Sequence, residues 1–344
     1  MPSATHKPDK TLPLFSHIYV ESELLEQPWL STVEKFREKF SRATLIELEH
    51  YSHLTQRRSA SWLDQKRSPK LVLARKHGEL VYPCSDVAPN FGHPNFFYAV
   101  PMQNCLYDCE YCYLQGMYTS AHMVYFVNQH EIINRVKELA AELGELYLCI
   151  AYDNDILALE SLFGVARTWI EGLREESGVT VEIRTKSANF PAISDLEAPP
   201  NFILAWTLSP QPVVERFEQK TPPLKARLKS MQQALEKGWR VRLCLDPLLP
   251  VNDWSKIYRE LFETLDEAQM WNKLEDSCFG LFRMPKPYLR QARKARPESA
   301  LLQEARSKEE RGLYTLAGPE QHRLLRLVKN SLEERMDRSK VWQT

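Results

Sequence analysis

The sequence predicts an α/β protein: a partial (βα)6 barrel of the TIM type, with a small N-terminal α/β unit before it and a helical C-terminal tail after it. Three observations predict this class. From residue 96 to residue 284, apolar strand-like runs alternate with amphipathic segments of helical period, the pattern of βα units around a parallel sheet. About six such units can be counted, which suits an open or partial barrel better than an eight-fold one. No G-x-G-x-x-G turn follows the first strand-like run, so a dinucleotide-binding fold is unsupported. A chain of 344 residues is long enough for a small unit beside a larger one. The expected boundaries are 1–90 for the N-terminal unit, 91–298 for the barrel and 299–344 for the tail.

Taken in order, HIYVES (17–22) and ATLIELEHY (43–51) read as strands around a helix over WLSTVEKFREKF (29–40). That helix spaces Val33, Phe36 and Phe40 along one face and has Ser31 as its candidate N-cap. PKLVLARKHGELVYP (69–83) reads as a hairpin turning at His77 and Gly78. FFYAVPMQ (96–103) is the first barrel strand and runs into a cysteine-rich loop. MVYFVN (123–128) reads as a short strand, and the segment 129–144 as a helix ending at Gly144. Strands then fall at 145–152, 180–187, 202–209, 239–250 and 277–284. Helices fall at 158–178, 224–238 and 255–269. In the tail, Leu324, Leu327 and Leu332 have helical spacing.

Lys+Arg and Asp+Glu number 45 each, so no whole-chain basic field draws in nucleic acid, though a local patch can. No run of about eighteen apolar residues predicts a membrane span. The N-terminus is polar, without the apolar core of a signal peptide, and a cytoplasmic location is expected. There are seven cysteines, and in a reducing compartment a tight cluster of them points to metal binding or catalysis.

Three of them lie in NCLYDCEYCYLQ (104–115): Cys105, Cys109 and Cys112, spaced C-x3-C-x2-C. Thiolates hold zinc or iron–sulfur clusters. A structural zinc site wants four ligands. Here Cys84 is distant in sequence, and Cys149, Cys244 and Cys278 sit on expected strands. Three thiolates on a four-iron cubane leave one iron open, the mark of a reactive site. A zinc loop or three unrelated buried cysteines is the alternative.

This spacing, at the end of the first strand of a βα series, resembles the radical S-adenosylmethionine superfamily. Within it, the loop with Tyr111 before and Tyr113 after Cys112 looks like the spore photoproduct lyase-like family. QKRSPKLVLARKHGELVYPC (65–84), DILALESL (155–162), RTKSAN (184–189) and FEQKTPPLKARLKSM (217–231) are similar in the same order, so the resemblance spans roughly residues 17 to 300. It implies a barrel of the radical SAM type. It implies that Cys105, Cys109 and Cys112 hold a [4Fe–4S] cluster whose open iron binds S-adenosylmethionine, and that Lys186 pairs with the methionyl carboxylate. It also implies that Asn154 and Thr207 line the cofactor pocket and that Tyr111 and Tyr113 sit near the cofactor as a hydrogen-atom relay.

One departure stands out. The lyase places a hydrogen-donating cysteine just before the D-I-x-x-x-E stretch, and here that position is Tyr152. Cys149, three residues earlier, is expected on the opposite face of its strand, whereas Cys244 shares a face with Asp246.

The activity implied is hydrogen abstraction by a 5′-deoxyadenosyl radical, lyase-like, in repair of thymine-dimer-type DNA lesions. Two alternatives remain: the same chemistry on a modified nucleotide, RNA or protein, or a non-catalytic cysteine-metal nucleic-acid-binding module. A reductant of the flavodoxin or ferredoxin type is implied as a partner. The segment FRMPKPYLRQARKARPES carries Arg283, Lys286, Arg290, Arg293, Lys294 and Arg296 against Glu298 alone. It is a candidate nucleic-acid contact, with Tyr288 placed to stack on a base, or else a solvated helix face. Trp62, Trp206, Trp239 and Trp254 are expected in the core.

Overall fold

A computed structural model describes residues 14–56, 61–85, 88–304, 312–316 and 318–344. The chain divides into two compact units, one of residues up to Lys76 with Tyr118–Val127, the other of His77–Met117 with Asn128–Thr344. The strands in chain order are β1 (His17–Glu21), β2 (Thr44–Leu48), β3 (Leu71–Ala74), β4 (Val81–Pro83), β5 (Phe96–Ala99), β6 (Met102–Gln103), β7 (Asp108–Cys109), β8 (Met123–Phe126), β9 (Leu146–Cys149), β10 (Val179–Thr185), β11 (Phe202–Thr207), β12 (Glu218–Gln219), β13 (Arg240–Leu248), β14 (Asp276–Leu281), β15 (Arg283–Pro285), β16 (Leu313–Thr315) and β17 (Val341–Gln343).

In the first unit β2, β1, β3 and β8 pair in that order, all parallel. The helix Leu30–Lys39 buries Val33 and Phe36. Its cap is Trp29, without a side-chain hydrogen bond, so Ser31 lies inside the first turn and is not the N-cap. The hairpin expected over 69–83 does not form. Gly78 does turn the chain, at φ +72°. But all four residues of β3 are buried, and such a strand needs a neighbour on each side. It finds them in β1 and β8, while the three-residue β4 pairs antiparallel with β5.

The second unit carries an eight-stranded sheet in the order β17-β14-β13-β11-β10-β9-β5-β4. Six of these, β5, β9, β10, β11, β13 and β14, are parallel neighbours in strict chain order. This is the mixed α/β arrangement with parallel sheets that the alternation predicts. The helices Gln129–Leu143, Leu224–Glu236 and Trp254–Glu267 match the expected ones. The one expected over 158–178 is broken at Gly164, which adopts a left-handed φ of +65°. The second piece, Val165–Leu173, is capped from the first: Glu160 accepts N–H bonds from Ala166 at 2.7 Å and Arg167 at 3.0 Å.

Strand alternation puts Tyr147 and Cys149, Glu182 and Arg184, Ile203 and Ala205, Arg242 and Cys244, and Cys278 on one face. The apolar members form one cluster. Charges share that face: Arg242 binds Asp276 at 2.7 Å, the Tyr147 hydroxyl at 2.6 Å, and Glu182. Trp62, Trp206 and Trp239 are core residues as expected; Trp254 is half-buried and donates to Glu320 at 2.6 Å.

Candidate functional site

A cavity of about 410 Å³ opens at the C-terminal ends of β10, β11 and β13, and all nine sequence-predicted site residues border it. Cys105, Cys109 and Cys112 come from the loop after β6. Tyr111 and Tyr113 flank the last of them. Tyr152 and Asn154 follow β9, Lys186 follows β10, and Thr207 ends β11.

The cysteine loop is held by backbone pairing. β7 pairs antiparallel with β12, setting Cys109 opposite Glu218, and the Cys112 N–H closes a turn on the Cys109 carbonyl at 3.1 Å. Asn104 takes a left-handed φ of +67° at the loop entrance. None of the seven cysteines forms a disulfide. Burial pushes the Cys109 thiol well up, against the pull of the Lys186 charge. Such a thiol ionises only when a cation arrives, as a bound metal provides. Among the described residues, no three His, Cys, Asp or Glu side chains converge on a single ion position. Three thiols spread along one cavity wall fit a multi-iron body better than a single ion.

Most polar neighbours of the loop have a defined partner. The Tyr111 hydroxyl donates to Glu218, which also accepts from Ser209 at 2.8 Å and pairs with Arg227 at 2.5 Å. Burial raises the Glu218 carboxyl, but Lys186, Arg227 and these donors outweigh it and hold it below the usual range. The Lys186 ammonium lies 5.5 Å from the Tyr111 ring centre. Asp155 fixes the chain beneath that lysine, accepting the Lys186 N–H at 2.7 Å, the Thr185 hydroxyl at 2.8 Å and the Ala158 N–H at 3.0 Å. Its burial outweighs these bonds and raises its carboxyl. Asn154 donates to the Met102 carbonyl at 2.5 Å, while its own side-chain oxygen is buried with no partner. Thr207 is buried.

The Tyr113 hydroxyl donates to the backbone carbonyl of Tyr152. The Tyr152 side chain in turn hydrogen-bonds Cys84, whose thiol burial pushes up to about 12. Sequence distance hid this pair. The expected separation of Cys149 from Tyr152 is also corrected: both pack in one cluster. β9 stops at Cys149, so strand alternation does not reach Tyr152.

The structure sorts the basic segment. Arg283 binds Asp246 at 3.0 and 3.1 Å, and Gly280 leaves room for it, since a Cβ there would lie 2.9 Å from its guanidinium. Arg293 donates to the Leu302 carbonyl at 2.8 Å. Arg296 is buried against Gln115, at 2.8 Å, and Asp108. These three arginines are structural. Lys286, Arg290 and Lys294 are exposed, and Tyr288 borders the cavity. The helix Lys286–Ala295 lies directly on the cysteine loop: a Cβ at Gly116 would sit 2.2 Å from the Tyr288 carbonyl oxygen. Sequence reasoning missed Cys84, Asp155, Arg184, Glu218 and Asp246. Each is an ordinary polar residue, and all but Arg184 find their partners far along the chain.

The family model for spore photoproduct lyase matches residues 85–341. Spore photoproduct lyase of Bacillus subtilis (strain 168) is 24% identical over 294 residues, covering 83% of each chain. That of Geobacillus sp. (strain Y412MC61) is 25% identical over 230 residues, covering 64% of this chain and 67% of the relative. Among solved structures, a spore photoproduct lyase double mutant with bound AdoMet and dinucleoside spore photoproduct superposes with a TM-score of 0.79 at 18% identity, covering 96% of this chain and 98% of the other. Spore photoproduct lyase complexed with dinucleoside spore photoproduct gives 0.77 at 18% identity, covering 96% and 99%. At these identities the structural likeness establishes the fold.

Proposed function

This chain belongs to the spore photoproduct lyase family, whose members are radical S-adenosylmethionine enzymes using a [4Fe–4S] cluster and S-adenosylmethionine, and on that premise we propose that it abstracts hydrogen from a thymine-dimer-type DNA lesion by way of a 5′-deoxyadenosyl radical. The observation that carries this reading is the meeting of all nine expected residues around one cavity. Cys105, Cys109 and Cys112 would hold the cluster, and Lys186 the methionyl carboxylate. Asn154, with its unfilled side-chain oxygen, and Thr207 would form the cofactor wall. When bound, the cofactors supply the electron and the primary carbon radical.

The rest falls to the chain itself. Glu218 orients the Tyr111 phenol, and the Tyr152 carbonyl orients that of Tyr113. Tyr152 borders the cavity at the sequence position where the family carries its hydrogen-donating cysteine, and we assign it, hydrogen-bonded to Cys84, the return of a hydrogen atom to the product. The six parallel strands are read as an open (βα)6 barrel over 91–298, with 1–90 as the N-terminal unit and 299–344 as the tail. Lys286, Arg290 and Lys294 are the proposed nucleic-acid contacts. A flavodoxin- or ferredoxin-type protein is the proposed reductant, and the cytoplasm the proposed location. Among the described residues no helix is long and apolar enough to cross a membrane.

Anaerobically reconstituted protein given dithionite and S-adenosylmethionine is expected to release 5′-deoxyadenosine, and no release from fully loaded protein defeats the reading. Ultraviolet-irradiated DNA carrying spore photoproduct is then expected to be repaired. The Tyr152 substitution favours a second reading, the same radical chemistry on a modified nucleotide, RNA or protein. Cofactor cleavage without lesion repair would select it.

A further inference from the structure

The site contains one donor that no group among the described residues satisfies. Arg184 lies on β10 on the same face as Glu182, with Lys186 just past the end of the strand. Its Nε donates to Glu182 at 3.1 Å, and its Nη1 is 4.0 Å from Asp246. Its Nη2 is buried with no hydrogen-bond partner. The side chain keeps 19% of its surface exposed and forms part of the cavity wall.

The surrounding charges narrow what that donor awaits. Arg184, Arg242 and Arg283 face Glu182, Asp246 and Asp276. Asp246 is already held by two bonds from Arg283, and Asp276 by two from Arg242. Glu182 is shared between Arg184 and Arg242. These three arginines and three acids balance, and the further cation at the cavity, Lys186, is already assigned to the methionyl carboxylate, so no surplus positive charge is left for a second anion. What is missing is one neutral acceptor.

On the reading that the substrate is a thymine-type lesion, we propose that Arg184 is a specificity-determining residue whose unpaired Nη2 N–H, turned from its buried position toward the cavity when substrate binds, receives the C4 carbonyl oxygen of the pyrimidine. Thymine presents only an acceptor at its C4 edge, where cytosine presents an amino donor. An arginine in a protein does not lose its proton, so this position stays a donor at every working pH. A cytosine-type ring would set donor against donor. The site therefore selects carbonyl edges by repelling amino edges as well as by bonding.

The test is binding of dinucleoside spore photoproduct to full-length protein, followed by calorimetry, with each ring carbonyl replaced in turn by a thiocarbonyl, a weaker acceptor. One replacement is expected to weaken binding to the unmutated protein by about 10-fold or more. Arg184→Met is expected to weaken binding of the parent dinucleoside similarly and to erase the penalty of that one replacement. Arg184→Lys, which keeps a cation beside Glu182, is expected to fold and to behave likewise if the methionine variant does not. S-adenosylmethionine binding is expected to stay unchanged in either variant. If the dinucleoside binds but no carbonyl couples to Arg184, the inference is wrong and the lesion reading stands. If the variants lose S-adenosylmethionine instead, Arg184 serves the cofactor. If the unmutated protein binds no dinucleoside, the lesion reading itself falls and this inference with it.

Discussion

At the scale of single residues, the site depends on charges held at fixed distances. The Lys186 charge pulls on the Cys109 thiol, and its backbone is pinned by Asp155. Lys186→Ala is expected to reduce S-adenosylmethionine affinity about 10- to 100-fold, the loss of one charge-assisted bond, while the protein melts at an unchanged temperature. Unchanged affinity would remove Lys186 from the cofactor site. Glu182 gives a pH dependence. Burial raises its carboxyl, but Arg184, Arg242 and the Tyr147 hydroxyl outweigh that and hold it below the usual range. Its contribution to stability is complete above the unfolded value of about 4.3 and is lost as pH falls through the lower folded value. Between those two values the native protein is expected to lose melting temperature more steeply than Glu182→Gln. Parallel curves between pH 7 and about 3 would contradict this.

At the scale of elements, two contacts fix the site. The helix Lys286–Ala295 rests on the cysteine loop where Gly116 has no side chain, against backbone that has no flexible end to yield. Gly116→Ala is expected to cost about 1–3 kcal/mol by overpacking and to lower cluster loading, read by absorbance after anaerobic reconstitution. Full loading at native stability would show that the helix can move freely off the loop. The same helix offers three exposed cations, so binding of single-stranded oligonucleotide is expected to weaken with salt at a log–log slope of about −2, each phosphate contact contributing about −0.7. A slope near −4 would mean that the three internally bonded arginines also reach phosphate.

At the scale of the whole molecule, the second unit is organised by a buried ion network across its sheet. Arg242 on β13 joins Asp276 on β14 to Glu182 on β10, and its guanidinium lies 3.4 Å from the centre of the Phe91 ring. Arg242→Met strips Asp276 of its guanidinium partner and leaves Glu182 with Arg184 alone, and is expected to cost about 3–5 kcal/mol, measured by denaturant unfolding. A loss under about 1 kcal/mol would mean that water reaches the network.

The order of six strands and most of their helices was legible because hydrophobic period is local and each run announces itself. The metal loop was legible for the same reason, its three cysteines falling within eight residues. The hairpin over 69–83 misled because a turn at Gly78 does not reveal where its flanking strands find partners. The helix over 158–178 misled because Gly164 reads as a tolerated interior glycine until Glu160 is seen capping the second piece. By itself, then, the sequence determined the parallel α/β class, the cysteine loop and the family resemblance, since each rests on spacing within a few residues. Only the tertiary structure decided that Cys84 meets Tyr152, that Arg283, Arg293 and Arg296 turn inward, and that Arg184 keeps one unsatisfied donor at the cavity. Those pairings are set by which strand ends the fold brings together, a long-range geometry that no local pattern encodes.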